Sequence, residues 1–190
     1  MPLSLPIEPA ATRLLYDNPL ALLMGMLLDQ QIPMEKAFSS PYVLTQRLGR
    51  DLDAADIAAF DPVEFEAIVA KPPALHRFPR ANAKRIQELC QVLVDRYDGN
   101  AANVWAGVRD GAELVRRMGE LPGFGKQKSQ IFVALLAKQF DIQPDGWREA
   151  TGVYGEEGSL RSVADITDDT SLARVREYKQ AAKAAANATS

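Results

Sequence analysis

Apolar residues recur along this chain at intervals of three and four, and almost every periodic segment reads as helix. Asp17-Asn18-Pro19 is a cap followed by proline at the first helical position. Leu20, Leu23, Met24 and Leu27 then follow helical spacing. That segment is apolar nearly all round, which predicts a helix at the centre of the core. Met34–Phe38 and Pro41–Leu48 read as two short helices, and Asp53–Phe60 and Pro62–Val69 as two more. A proline-rich loop follows, Pro72 to Pro79. Arg80–Tyr97 is the most regular amphipathic helix, with Ile86, Leu89, Val92, Leu93 and Tyr97 on one side. Asp98-Gly99-Asn100 stops it. One more turn is expected over Asn103–Arg109, then helices over Glu113–Glu120 and Lys126–Gln139. Asp141–Asp169 holds four glycines and a proline with weak periodicity, so it reads mostly as loop. Thr170–Ala186 is a helix running into an Ala/Lys tail that should fray. No segment reads as a strand, and the expected fold class is all-α.

Between the helices over 113–120 and 126–139 lies Leu121-Pro-Gly-Phe-Gly-Lys-Gln-Lys-Ser129. Gly123 and Gly125 let the chain reverse tightly, because glycine takes positive φ without steric cost. The helix that opens next has first-turn amides with no backbone partner, and such amides bind phosphate oxygens. The amides of Gly123, Gly125 and Gln127 would then hold a nucleic-acid phosphate, with Lys126 and Lys128 adding charge. The plainer reading is a tight connection between two helices.

Composition narrows the chemistry. The chain has 190 residues and one cysteine, Cys90, so an internal disulfide is impossible and a cluster held by several thiolates is excluded. With one histidine as well, a zinc site is not expected, and neither metal nor cofactor is predicted. The longest apolar run, Pro19–Leu28, is too short for the ~18 residues of a membrane span. The N-terminus lacks a basic n-region, so no secretory signal is expected and the compartment reads as cytoplasmic, nucleoid-associated if bacterial. A net charge of −3 argues against a general nucleic-acid binder. Its distribution is uneven, however. Residues 76–85 carry Arg77, Arg80, Lys84 and Arg85 with no acid, and Lys126, Lys128 and Lys138 follow the hairpin. Acids crowd Asp51–Asp61, Glu156-Glu157 and Asp165–Asp169, and the last two groups read as solvated surface. A one-sided basic surface is one expectation; a mixed surface is the other.

The order of features resembles the helix-hairpin-helix base-excision DNA glycosylases, the HhH-GPD superfamily. The likeness runs from about Asn18 to Asp145. Leu27-Leu-Asp-Gln-Gln31 is similar to the family's helix end that carries a glutamine beside the gap left by a damaged base. Arg80-Ala-Asn-Ala-Lys84-Arg-Ile is similar to the helix that follows its wedge loop, and the hairpin is the most specific match. The family's catalytic aspartate lies about twenty residues past the second hairpin glycine, and that distance from Gly125 lands on Asp145. Asp141 is the fallback. The resemblance implies two helical lobes with a cleft between them: residues 20–140 as a central lobe with the hairpin at 113–139, and 1–19 plus 141–190 as the terminal lobe. It also implies a partner, double-stranded DNA with a damaged base; a monomer is expected because nothing in the sequence demands a dimer.

Lyase-competent members carry a lysine where this chain has Gln127, and glutamine cannot form a Schiff base with the sugar aldehyde. The implied activity is therefore a monofunctional glycosylase. Asp145 would stabilise the positive charge that builds on the sugar and orient the attacking water. Gln31 would hydrogen-bond the orphaned base or is a polar helix-end residue. Phe78, with His76 and Arg77 beside it, would intercalate or would cap the core under the loop. Trp147 and Tyr154 would stack on an extruded base or anchor their own loop. Two other functions stay open: a non-catalytic DNA-lesion-binding protein on the same fold, and a protein-interaction domain whose hairpin is only a turn.

Overall fold

The computed structural model describes residues 3–188. Among them are ten α-helices and no named strand: α1 (Pro9–Asp17), α2 (Pro19–Leu28), α3 (Met34–Leu48), α4 (Ala54–Ala58), α5 (Pro62–Ala70), α6 (Pro79–Tyr97), α7 (Gly111–Gly119), α8 (Lys126–Gln139), α9 (Trp147–Thr151) and α10 (Asp169–Ala188). Three short 3-10 helices lie at Ala101–Val104, Gly152–Tyr154 and Val163–Asp165. The all-α expectation holds. No described helix is long and apolar enough to cross a membrane.

The chain divides into two compact units. One is built from residues 3–6, 108–116 and 126–188, the other from 7–107 and 117–125. The boundary differs from the sequence expectation, which placed α8 in the central lobe and residues 1–19 in the terminal one. The reason is side-chain partnership. Gln139 at the end of α8 donates to the carbonyls of Val163, Ala164 and Ile166, at 3.3, 2.8 and 3.2 Å, so α8 belongs with the C-terminal segments. α1 instead packs on α2 and α3.

In the unit of residues 7–107 and 117–125, α2 is the core helix. Asn18 caps it, its side-chain oxygen accepting from the amides of Leu20 and Ala21. Every residue from Leu20 to Leu28 is buried. α3 packs on it so closely that Gly25 lies against the Phe38 ring. α3 is one helix, not the two expected. Its buried residues Met34, Ala37, Phe38, Pro41 and Leu44 form one stripe that continues through the proline. Burial of that stripe outweighs the ~3 kcal/mol cost of an interior proline. α4 and α5 pack on α6, and the Gln87 side-chain amide donates to Ile57 and Phe60 carbonyls, tying α6 to the end of α4. α1 was missed from sequence. Its signals are Pro9 at the first position and Ala11 and Leu15, four apart and buried.

In the other unit, α8 is the core helix, with Phe132 through Ala137 all buried. The segment read as mostly loop, Asp141–Asp169, is held by polar contacts that periodicity does not report. Arg148 donates to the Gly155 carbonyl at 2.7 Å, and Thr151 Oγ1 to the Trp147 carbonyl at 2.8 Å. Asp165, expected as solvated surface, is buried. Its carboxylate accepts from the amides of Arg161 and Ser162 at 2.9 and 3.1 Å and pairs with Lys138 at 2.5 Å. A turn that surrounds a carboxylate with backbone N–H groups favours its burial as an anion.

Candidate nucleic-acid and catalytic site

Asp145 lies in the unit that contains α8, on a turn between α8 and α9. Trp147 N–H donates to the Pro144 carbonyl at 3.2 Å, and Gly146 takes φ 69° at the turn's third position. A side chain there is strained, so the glycine is needed for its conformation. The turn is pinned from behind. Asp145 N–H donates to the Arg109 carbonyl and Gly111 N–H donates to the Asp145 carbonyl, both at 2.7 Å. These bonds form an isolated parallel bridge between Asp110 and Asp145. Asp110 is itself fixed, its side chain accepting from the Glu113 amide at 2.8 Å at the start of α7. The backbone of Asp145 is thus held through both its N–H and its C=O by the 109–111 segment, and its carboxylate is exposed and makes no hydrogen bond or ion pair among the described residues. Asp141, the fallback, takes φ 57° two residues past the end of α8, which is the role of a helix stop.

The same unit carries Lys126, Gln127 and Lys128 in the first turn of α8. Lys126 and Gln127 are exposed. Gln127 Nε2 donates to the phenol oxygen of Tyr154 at 2.7 Å. The Tyr154 carbonyl accepts in turn from Lys138 Nζ at 2.6 Å. Lys138 therefore looks inward to Tyr154 and Asp165, and it is not part of the basic surface expected from sequence. Trp147 is buried and Arg148 lies over its ring at 4.5 Å, so Trp147 anchors the loop. Tyr154 is half-buried and holds Gln127.

The other predicted DNA contacts lie in the unit that contains α2. Gly123 has φ 81°, and a Cβ on it would meet Leu27 Cδ1 at 2.3 Å. The hairpin turn thus sits directly on α2, one turn before Gln31. Phe124 N–H closes the turn on the Leu121 carbonyl at 3.1 Å, with both side chains buried. Gly125 lacks positive φ and has open space around it. Gln31 is exposed at φ 60°. His76 connects this turn to the proline-rich loop. Its Nδ1 accepts from the Phe78 amide at 3.0 Å and faces the Asn82 amide nitrogen at 2.9 Å. Its Nε2 then carries the hydrogen and donates to the Gln30 carbonyl at 2.8 Å. His76 is a buried brace, and sequence gave no sign of that.

The brace presents Phe78, which is 46% exposed with the Arg77 guanidinium 4.8 Å from its ring centroid. Phe78 does not cap the core. The basic run is partly answered by acids. Arg80 pairs with Glu66 at 3.8 Å and Lys84 with Glu88 at 3.6 Å, both exposed pairs. Such exposed pairs contribute little to stability. Gln31, the hairpin turn and the Arg77-Phe78 loop are therefore neighbours within one unit, linked through Leu27 and through His76.

A family model described as HhH-GPD superfamily base excision DNA repair protein matches residues 24–189. The chain belongs to this family. Among solved structures, a chain from a trapped endonuclease III–DNA covalent intermediate, an estranged-adenine complex, is 20% identical, with 87% of this chain and 73% of that chain covered and a TM-score of 0.46. No curated protein matches. Within the HhH-GPD family reading, the hairpin is Leu121 to Gly125 between α7 and α8, where the glycine spacing puts it. Sequence reasoning missed Gly111, Tyr154 as the partner of Gln127, and the brace at His76. A glycine before a helix, a tyrosine in a loop and a lone histidine carry no pattern. Only the tertiary contacts assign them.

Proposed function

We propose that this chain is a monofunctional DNA glycosylase, which hydrolyses the N-glycosidic bond of a damaged base extruded from duplex DNA. The observation that carries the reading is Asp145: an exposed carboxylate twenty residues after Gly125, on a turn whose backbone is bonded through both N–H and C=O to the 109–111 segment. As the base departs, positive charge grows on the sugar. A carboxylate on a rigid backbone stabilises that charge without reorganising, and accepts a proton from the attacking water. Gln127 supports the absence of a lyase step. It stands where lyase members have lysine, and its amide is engaged by Tyr154.

The remaining residues act on the duplex. The hairpin turn at Gly123 and Gly125, with Lys126 and Lys128 following, contacts a phosphate and sets position without reading sequence. Phe78 is presented as a wedge for the step left by the extruded base, and Gln31 meets the orphaned partner. Arg77, Arg80 and Lys84 contribute backbone charge. The chain acts as a monomer, where the cell keeps its DNA. The test is Asp145→Asn in single-turnover excision. Loss of excision with duplex affinity kept within about twofold supports the reading. Excision at the wild-type rate removes Asp145 from it.

A further inference from the structure

Gly111 is the first residue of α7, and glycine is a poorer helix former than alanine. Its φ is not in the left-handed region, so no backbone conformation demands glycine there. What demands it is space. A Cβ on Gly111 would lie 2.5 Å from Trp147 Cα, 2.6 Å from Trp147 N and 2.9 Å from Gly146 C. These are backbone atoms of the turn that carries Asp145, so no side-chain rotation relieves the overlap. The same residue donates its N–H to the Asp145 carbonyl at 2.7 Å. Trp147, on the far side, is buried and cannot yield outward freely.

From this geometry we infer that Gly111 is a positioning residue for Asp145. Its missing side chain lets the start of α7 reach the 144–147 turn at contact distance, and that contact sets how far the Asp145 carboxylate reaches toward the sugar. The inference rests on the glycosylase reading, in which Asp145 is the group that meets the reacting centre. A Cβ here pushes the turn away from α7 by the shortfall from an ordinary contact, roughly 1 Å. A displacement of that order costs about 100-fold in rate when a reacting group must be aligned. Duplex binding, which uses the hairpin and the Arg77-Phe78 loop, should change little.

The experiment compares Gly111→Ala, Asp145→Asn and the double variant with wild type. Excision rate is measured under single turnover, and Kd on the same lesion duplex. The expected result is a loss of about 100-fold in rate for Gly111→Ala with Kd within about twofold. In the Asp145→Asn background, Gly111→Ala should cost nothing further, since it acts through a group already removed. A general structural role would lower the rate by the same factor in both backgrounds, and that result would overturn the inference, as would an unchanged rate in the single variant. Amide hydrogen exchange of the wild-type protein supplies a second arm. The Gly111 and Asp145 amides should be protected to the level of the α8 core and open together. Free exchange at either would overturn the inference without any variant having to fold. If the wild type excises no base at all, the glycosylase reading fails by itself, and the exchange arm still decides whether Gly111 holds the turn.

Discussion

Replacing Lys138 with methionine should destabilise the unit built on α8 far more than a surface lysine would. The Lys138 side chain is 20% exposed and that of Asp165 is 2% exposed, with 2.5 Å between Nζ and Oδ1. Lys138 Nζ also satisfies the Tyr154 carbonyl at 2.6 Å. Methionine keeps the stem's packing but leaves a buried carboxylate without its cation and a carbonyl without its donor. Breaking a buried pair by removing one partner costs about 3–5 kcal/mol. Asp165 keeps its two backbone donors, and the remaining exposure of Lys138 admits water, so we expect about 2–3 kcal/mol. That corresponds to a Tm lower by roughly 5–10 °C for a chain of this size. Each unit holds one tryptophan, Trp105 in the one with α2 and Trp147 in the one with α8. Fluorescence in a Trp105→Phe background therefore reports the affected unit. Adding Asp165→Asn to Lys138→Met removes the stranded charge and should restore at least about 1 kcal/mol. A loss under about 0.5 kcal/mol, the range of ordinary surface changes, would refute the buried-pair account. So would strict additivity of the two substitutions.

Three further outcomes follow from particular contacts. Gln127→Lys places an amine where lyase members carry one, and should give a borohydride-trapped adduct and strand cleavage without alkali on any duplex the wild type cuts only after alkali; no adduct would mean that Tyr154 holds the position away from the sugar. Gly25→Ala sets a Cβ 2.7 Å from Phe38 Cδ1, an overpacking that costs about 1–3 kcal/mol less the roughly 1 kcal/mol that alanine gains in a helix, and Phe38→Leu should recover most of it in urea titrations. Burial, and then the nearby Asp53 charge, push the Cys90 thiol up from 9.0 to about 12. The native state therefore holds that proton while the unfolded chain releases it, and the associated stability is lost as pH climbs from about 9 through 12. Below pH 9 the thiol should resist disulfide reagents until the protein unfolds; rapid labelling of native protein at pH 8 would contradict this.

The fold was legible wherever one chemical signal dominated. Asn18-Pro19 and a continuous apolar run marked α2, and Asp98-Gly99 marked the end of α6, where the structure gives φ 54° and 72°. The hairpin was legible because a positive-φ glycine is hard to replace. Pro41 misled, since a breaker read locally was outweighed by a buried stripe running through it. The segment between α8 and α10 was opaque for a different reason. Its order comes from Lys138 and Asp165, from Arg148 on a carbonyl and from Gly111 against Trp147, and none of these pairs lies within a helical period. Of the candidate site, the hairpin glycines came from their own spacing and Asp145 from the family resemblance. The devices that hold the site residues came only from distance: Gly111 behind Asp145, His76 behind Phe78 and Tyr154 on Gln127.

The central claim is that Asp145 does chemistry on an extruded base. The most direct test is single-turnover excision on labelled duplexes bearing uracil, alkylated, deaminated or oxidised bases, with wild type and Asp145→Asn side by side and half of each sample treated with hot alkali. The account predicts that wild type yields strand breaks on at least one duplex after alkali only, and that Asp145→Asn, while binding the same duplex, yields none on the wild-type timescale and only a slow residual on prolonged incubation. Duplex binding by wild type with no abasic product from any lesion would contradict it, and would make the chain a non-catalytic lesion binder.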